Sequence, residues 1–298
     1  PKAPEARGWL AGWAKRLAPT IVVDTTAFSI VGEDGATPYD GTGAPVLTVA
    51  FAGSDRATWE SSTRGLSPAD LAMHVVLPEV DGRLFAGAVS FKEPGARDPD
   101  LGLALARHAP DALMVARVVE KAARLVDLRA TPPDKRRVAL VLSTYPGRAD
   151  QIAHAIGLDA PESAARLVAA LGHGATTGAA LIARLGREAL AWPLAEYHAA
   201  LAALPAALRD ALHARWGAPG EDPAVTGEAF RFAGFETGRA LVALQPERGD
   251  VHDRAARYHD ATEPPRHAYV AFHLWLGARV DARVQVGGPG HRHRVAGP

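Results

Sequence analysis

The chain has 298 residues, 48% hydrophobic and 22% charged, an ordinary globular composition with room for one large domain or two smaller ones. Its 33 Lys and Arg balance 33 Asp and Glu, which argues against nucleic acid or an anionic membrane as the main partner. With no Cys, disulfides, thiolate zinc sites, iron–sulfur clusters and thiol nucleophiles are excluded, so any metal chemistry must use His, Asp, Glu or water.

No apolar run approaches the length of a membrane span and no signal peptide opens the chain, so a cytoplasmic location is expected. The first residue is Pro1 rather than Met, which fits a processed chain or a piece cut from something longer.

Short β-branched runs alternate with longer helical stretches, and this pattern predicts an α/β fold. Gly8 to Ala18 places Trp9, Leu10, Trp13 and Leu17 at helical spacing. Ile21 to Val23 reads as a buried strand, and Val46 to Phe51 as a second, after a Gly- and Pro-rich loop from Gly32 to Pro45. Ser67-Pro68-Ala69-Asp70 has the form of a helix start, with a Ser cap, Pro at the first helical position and an acid in the first turn. Leu84 to Phe91 predicts a strand, and Asp111 to Val126 a long helix with Val115, Val118, Val119, Ala122 and Leu125 along one side.

Thr131-Pro132-Pro133-Asp134 is the expected boundary between two lobes, residues 1–132 and 133–286. Arg137 to Ser143 then predicts a strand of the buried, parallel kind. Asp159-Ala160-Pro161-Glu162 resembles a capping box. Ala-rich helices follow to about Trp216, then strands at Phe230–Phe235 and Arg239–Leu244, an aromatic helix over Pro264–Gly277 and a last strand at Val280–Val286. The whole predicts parallel sheets flanked by helices in two lobes. Residues 287–298, rich in Arg, His, Gly and Pro, are expected to be a disordered tail, with a metal-binding His tract as the sharper alternative.

There is no Walker A loop, no G-x-G-x-x-G after a strand, no H-E-x-x-H and no G-x-S-x-G, so ATP hydrolysis by this chain alone is not expected. A few polar loops remain as candidate sites. Glu79 and Asp81 are carboxylates one residue apart that can bind a cation or accept protons, or can belong to a plain Asp-Gly turn. Gln245-Pro246-Glu247-Arg248-Gly249 follows a strand, where α/β folds place ligand sites, and Arg248 suits a substrate carboxylate, or is a surface Arg. His259, beside Asp260, and His267, at the start of the aromatic helix, are candidate metal ligands or loop hydrogen-bonding groups.

Several stretches in order resemble the large, tetrapyrrole-binding subunit of class I metal chelatases, the family of CobN and the magnesium chelatase large subunit. They include Trp59-Glu60-Ser61-Ser62, Arg64 to Met73, Val76 to Arg83, Arg137 to Pro146, Ile156 to Ser163, Leu244 to Gly249, Tyr258-His259-Asp260 and Pro264 to Tyr269. The resemblance covers about residues 18–286. The Ala88 to Lys92 stretch after the Pro-Glu-x-Asp-Gly turn, and the wording of the Gln-Pro-x-Arg-Gly and Tyr-His-Asp segments, are similar to the cobalt branch.

The resemblance implies a fragment of an ATP-dependent cobaltochelatase, a ligase that inserts cobalt, as substrate, into hydrogenobyrinic acid a,c-diamide in aerobic cobalamin biosynthesis. It implies separate AAA+ ATPase subunits that use the ATP. Gln245, Arg248, Glu79 and Asp81 become the expected substrate-binding residues, and His259 and His267 the expected metal ligands. The alternatives are a magnesium chelatase H-type protein acting on protoporphyrin IX and a non-catalytic tetrapyrrole-binding module. After Ala282-Arg283-Val284 the family continues with His-x-Gly-x-His-Gly, whereas Gln285 and Pro289 occupy the two His positions here. A truncated or frameshifted product, inactive by itself, is therefore expected.

Overall fold

The computed structural model describes residues 3–62, 65–143, 158–249 and 263–287, which fold as two compact units, one up to Ala130 and one from Thr131. Stretches 144–157 and 250–262 and the tail from 288, where His259 and the expected disordered end fall, lie outside the described residues.

The first unit opens with helix α1 (Pro4–Leu17). Its sheet runs in the order β1 (Val22–Asp24), β2 (Val46–Ala52), β3 (Leu84–Glu93), β4 (Arg107–Pro110). β1, β2 and β3 are parallel and β4 closes the edge antiparallel to β3. Alternation along β2 sorts its side chains between two layers. Ala50 and Ala52 pack with Trp59, Val75, Ala88 and Phe91, while Leu47 and Val49 pack with Ala86 and Val118. The first layer is supplied by α2 (Arg56–Ser61) and by a composite helix made of α3 (Pro68–Leu71), a π turn (Ala72–Val76) and α4 (Leu77–Val80). The second is supplied by α5 (Ala112–Ala130), whose first turn is capped by Asp111 Oδ1 accepting from the Met114 N–H at 2.8 Å.

The π turn has a cause in the sequence. Pro78 has no N–H and cannot bond back to the His74 carbonyl, so the helix cannot stay regular there. The Leu77 N–H reaches back five residues to the Ala72 carbonyl instead. Ser67 caps the composite helix as expected, its Oγ accepting from the Asp70 N–H at 3.1 Å.

The second unit is built on a six-stranded sheet. In chain order its strands are β5 (Val138–Leu142), β6 (Ala189–Pro193), β7 (Val225–Thr226), β8 (Ala229–Thr237), β9 (Ala240–Leu244) and β10 (Ala282–Val286). The spatial order is β10-β5-β9-β8-β6, with β7 on β8. β10, β5 and β9 are parallel; β8, β6 and β7 add antiparallel strands. Both sheets are thus mixed, parallel only in part; the two-residue connection between β8 and β9 forces a reversal that a parallel crossover could not make.

β5 is the axis of this unit: all five of its residues are buried. Val138, Leu140 and Leu142 face α6 (Ala160–Ala170) and α7 (Gly178–Leu185). Ala139 and Val141 face α8 (Leu194–Ala202) and α10 (His267–Arg279), through Tyr197, Phe272, Trp275 and Leu276, while α9 (Ala206–Trp216) lies further along the chain. Asp159 caps α6 by accepting from the Glu162 N–H at 2.9 Å. β6 lies inside the stretch expected to be all helix. Among the described residues no helix is long and apolar enough to cross a membrane.

Because β5 is packed on both faces, Leu140→Ala should lower stability by about 2–5 kcal/mol through lost transfer energy and a cavity. Urea denaturation measures this, and a loss below about 1 kcal/mol would mean that the site collapses freely.

Candidate functional site

In the first unit, a buried arginine organises the loop that follows β1. The Arg83 and Asp24 side chains are each 2% exposed and that of Asp81 is 0% exposed. Arg83 Nη1 donates to Asp24 Oδ2 at 2.9 Å and to the Thr26 carbonyl at 3.1 Å; Nη2 donates to Asp81 Oδ2 at 3.0 Å and to the Phe28 carbonyl. Both carboxylates are satisfied further. Asp24 Oδ1 accepts from the Thr26 N–H and hydroxyl, each at 2.7 Å. Asp81 accepts from the Ser29 hydroxyl at 2.6 Å and from the Ile30 N–H at 2.7 Å. Three buried charges are tolerable only with such extensive pairing, which leaves Arg83 Nε alone among these groups without a partner. Asp81 therefore fastens the 24–30 loop, and Gly82, at φ 78°, makes the Asp-Gly turn that aims it inward. Glu79, on α4, is exposed.

Beside this loop lies a groove of about 750 Å³, lined by Arg7 on α1 and by residues 26–34. A second buried set sits against the β2 end. Asp70 Oδ2 accepts from the Gly53 N–H at 3.0 Å and from the Ser67 hydroxyl at 2.8 Å. His74, on the π turn, is 9% exposed and its Nδ1 has no hydrogen-bond partner. Burial lowers its pKa, against the pull of the Asp70 charge.

In the second unit, polar groups gather where the parallel strands end. The Gln245 N–H donates to the Leu142 carbonyl at 2.9 Å, and the Gln245 Oε1 accepts from Gln285 Nε2 at 3.3 Å. Arg248 Nη2 donates to the Glu263 carbonyl at 2.7 Å, while its own carbonyl accepts from the Arg266 N–H at 2.7 Å. That bond brings the Gln245–Arg248 loop to the start of α10. Arg283 on β10 reaches His273 on α10 at 2.8 Å, and the His273 ring lies 4.5 Å from that of Tyr269. Gln245 and Arg248 thus lie at the carboxyl edge of β5 and β9, the side where ligands bind in open α/β sheets, whereas Arg283, in register with Ala139, lies toward the amino end of β10.

His267 sits beneath that edge. It is 1% exposed. Its Nε2 faces the Gly217 carbonyl at 3.2 Å, so Nε2 carries the proton and Nδ1 accepts from the Tyr197 hydroxyl at 2.8 Å. Ligation of a metal through Nδ1 would require the Tyr197 hydroxyl to leave. Burial, more than any helix-end effect, lowers the His267 pKa. Asp222 caps α10 from outside the helix, accepting from the Ala268 N–H at 3.1 Å and from Arg266 at 2.8 Å. Among the described residues, no group of three His, Asp or Glu side chains is arranged to hold a metal ion. The candidates thus fall into two sets, Glu79 and Asp81 in the first unit and Gln245, Arg248 and His267 in the second; His259 lies outside the described residues.

Sequence reasoning does not single out Asp24, Arg83, Tyr197 or Asp222 as site residues, since each gains its role from a partner distant in sequence.

Arg83→Met should cost about 3–5 kcal/mol, because two carboxylates are left buried without their cation. A urea midpoint near that of the unaltered protein would mean that water enters the cluster. The His267 ring couples stability to pH. Its folded pKa lies below the unfolded value of about 6.5, so the unfolded chain takes up the proton first. Its contribution is complete above about pH 6.5 and is lost as pH falls toward the folded pKa. His267→Gln should flatten the fall of thermal stability below about pH 6.5, and an unchanged profile would place the titration elsewhere.

The chain matches the family model described as CobN/Magnesium Chelatase over residues 3–291. It is 34% identical to the aerobic cobaltochelatase subunit CobN of a Sinorhizobium species, over 94% of this chain and 24% of that protein. It is 27% identical to the magnesium-chelatase H protein of Rhodobacter capsulatus, over 73% of this chain and 20% of that one. Among solved structures, the catalytic subunit of cobaltochelatase from Mycobacterium tuberculosis superposes with a TM-score of 0.74 at 31% identity, over 93% of this chain and 26% of that one. The chain spans about a quarter of the length of these cobaltochelatase relatives. It belongs to the CobN/magnesium chelatase family.

Proposed function

We propose that the chain is a tetrapyrrole-holding part of a cobaltochelatase large subunit, serving cobalt insertion into hydrogenobyrinic acid a,c-diamide in aerobic cobalamin biosynthesis. The observation that carries this reading is the gradient of similarity: 34% and 33% identity to two CobN proteins over nearly the whole chain, against 27% and 24% to two magnesium-chelatase H proteins. Cobalt is the substrate metal in this reading. ATP is used by separate AAA+ subunits, and the site of action is the cytoplasm.

The chemistry asks for groups that orient a carboxylated macrocycle and accept its protons. Two pyrrole N–H protons leave as the metal enters, and a site shielded from bulk water strengthens every charge that directs them. Arg248 and Gln245, at the carboxyl edge of the second sheet, suit the peripheral carboxylate and amide groups. Exposed Glu79 suits proton or cation handling, with Asp81 setting the turn that presents it. His259 and His267 are the imidazoles assigned to transient handling of Co²⁺, the latter by exchange with Tyr197. Gln285, which stands where the family carries His, touches Gln245, so the altered position adjoins the proposed substrate edge.

Absorbance titration of this chain with hydrogenobyrinic acid a,c-diamide and with protoporphyrin IX tests the reading. Tighter binding of the former is expected, and Arg248→Ala should weaken it about 10- to 100-fold, in line with the roughly 1.5–3 kcal/mol of a charge-assisted hydrogen bond. Preference for the porphyrin would favour the magnesium branch, and binding of neither would sink the proposal. Supplied with ATPase partners and Co²⁺, this chain alone should show no insertion above background. Turnover would mean that the Gln285 and Pro289 replacements are compatible with catalysis.

A further inference from the structure

The loop from Thr26 to Asp34 is held in a conformation that its own sequence does not favour. Phe28 has a φ of 65°, the left-handed region, which an aromatic residue with a full Cβ avoids. Two bonds impose it. The Phe28 N–H donates to the Met73 carbonyl at 2.8 Å, and the Phe28 carbonyl accepts from Arg83 Nη2. Both partners trace to the composite helix and the turn that ends it. Pro78, five residues after Met73, has no N–H to offer the Met73 carbonyl, which is thereby open to the Phe28 N–H. Arg83 is fixed by Asp24 and Asp81.

The result of this strain is an exposed ring. Phe28 is 50% exposed even though its backbone is pinned on both sides. It lies in the wall of the groove of about 750 Å³, within the roughly 300–1,000 Å³ range of small-molecule sites. Val31, 38% exposed, lies in the same wall. Arg7 supplies a cation. Its guanidinium bonds the Ala36 carbonyl at 2.5 Å and pairs loosely with the exposed Asp34 carboxylate at 3.4 Å, its Nε has no partner, and it occupies the space that any side chain at Gly32 would fill. Residues locked in sparsely populated backbone regions persist where the surroundings over-determine them, and such positions cluster at ligand sites.

We propose that Phe28 is an apolar platform for one face of the conjugated macrocycle, with Arg7 exchanging Asp34 for one of its peripheral carboxylates; this rests on the tetrapyrrole reading above. A rigid ring at the groove wall contributes contact area to the macrocycle at little entropic cost, and the arginine matches the ligand's charge.

The test is a titration of the 298-residue chain with hydrogenobyrinic acid a,c-diamide, comparing Phe28→Leu, Phe28→Trp and Arg7→Gln with the unaltered protein. Phe28→Leu keeps an apolar group without the ring and should weaken binding about 3- to 10-fold, while Phe28→Trp keeps the unaltered affinity. Arg7→Gln lies outside the backbone bonds of Phe28 and serves even if Phe28→Leu fails to fold. It should weaken binding severalfold and make it less sensitive to salt. Normal binding by the unaltered chain with equal affinity for folded Phe28→Leu, or for Arg7→Gln, overturns this proposal alone, as does a Phe28→Trp protein as weak as Phe28→Leu. No binding by the unaltered chain overturns the proposal together with the functional reading beneath it.

Discussion

An arginine with almost no water around it has to find its partners within the protein, and in the first unit Arg83 finds them on three separate pieces of chain. It joins the end of β1, the loop beyond it and the turn that leads into β3. Neither carboxylate could be buried without the guanidinium, and the guanidinium could not be buried without both. The loop from Thr26 to Ile30 therefore has one arrangement available, and that arrangement decides which side chains line the neighbouring groove. A hydrophobic contact would not have this effect, because it constrains separation without fixing direction.

The proline at position 78 works on the same loop from the other side. A helix-breaking residue inside a helix is normally a defect, yet here its missing N–H leaves a carbonyl for a loop that needs one. The π turn also carries His74 into the core with an unpartnered nitrogen. In the second unit a comparable economy of polar groups operates at the start of α10. Asp222 supplies the cap that Arg266 does not, and Tyr197 and Gly217 occupy both sides of His267.

The framework was legible where a short run carried its own environment. β5 reads as a buried parallel strand because all five positions are apolar, and Ser67 and Asp159 announce their helices because capping is a local bond. β6 was hidden, since Ala189-Leu190-Ala191 sits in Ala-rich sequence and takes its strand conformation from pairing with β8. β4, an edge strand of four residues ending in Pro110, has no alternation to read. The polar clusters were illegible for a related reason: Arg83 and Asp24 are 59 residues apart, and Tyr197 and His267 are 70 apart. Asp81 and Glu79 drew notice because they are neighbours in sequence, but the turn sends one inward and leaves the other in water. The carboxyl edge of the second sheet could be anticipated at Gln245 and Arg248, because a loop after a parallel strand is a general location rather than a particular contact.

The order of strands in the second sheet has a consequence for how the protein emerges from a ribosome. Among the described residues, β5 is nearly the first element of its unit to be made and β10 the last, and the bond from the Arg137 N–H to Asp281 spans 144 residues. At about 5–20 residues per second, β5 waits roughly 7–30 s for the partner on that flank. During that interval five consecutive apolar residues present an unpaired backbone edge, which is a template for association with other chains. That flank of β5 is closed only when β10 docks.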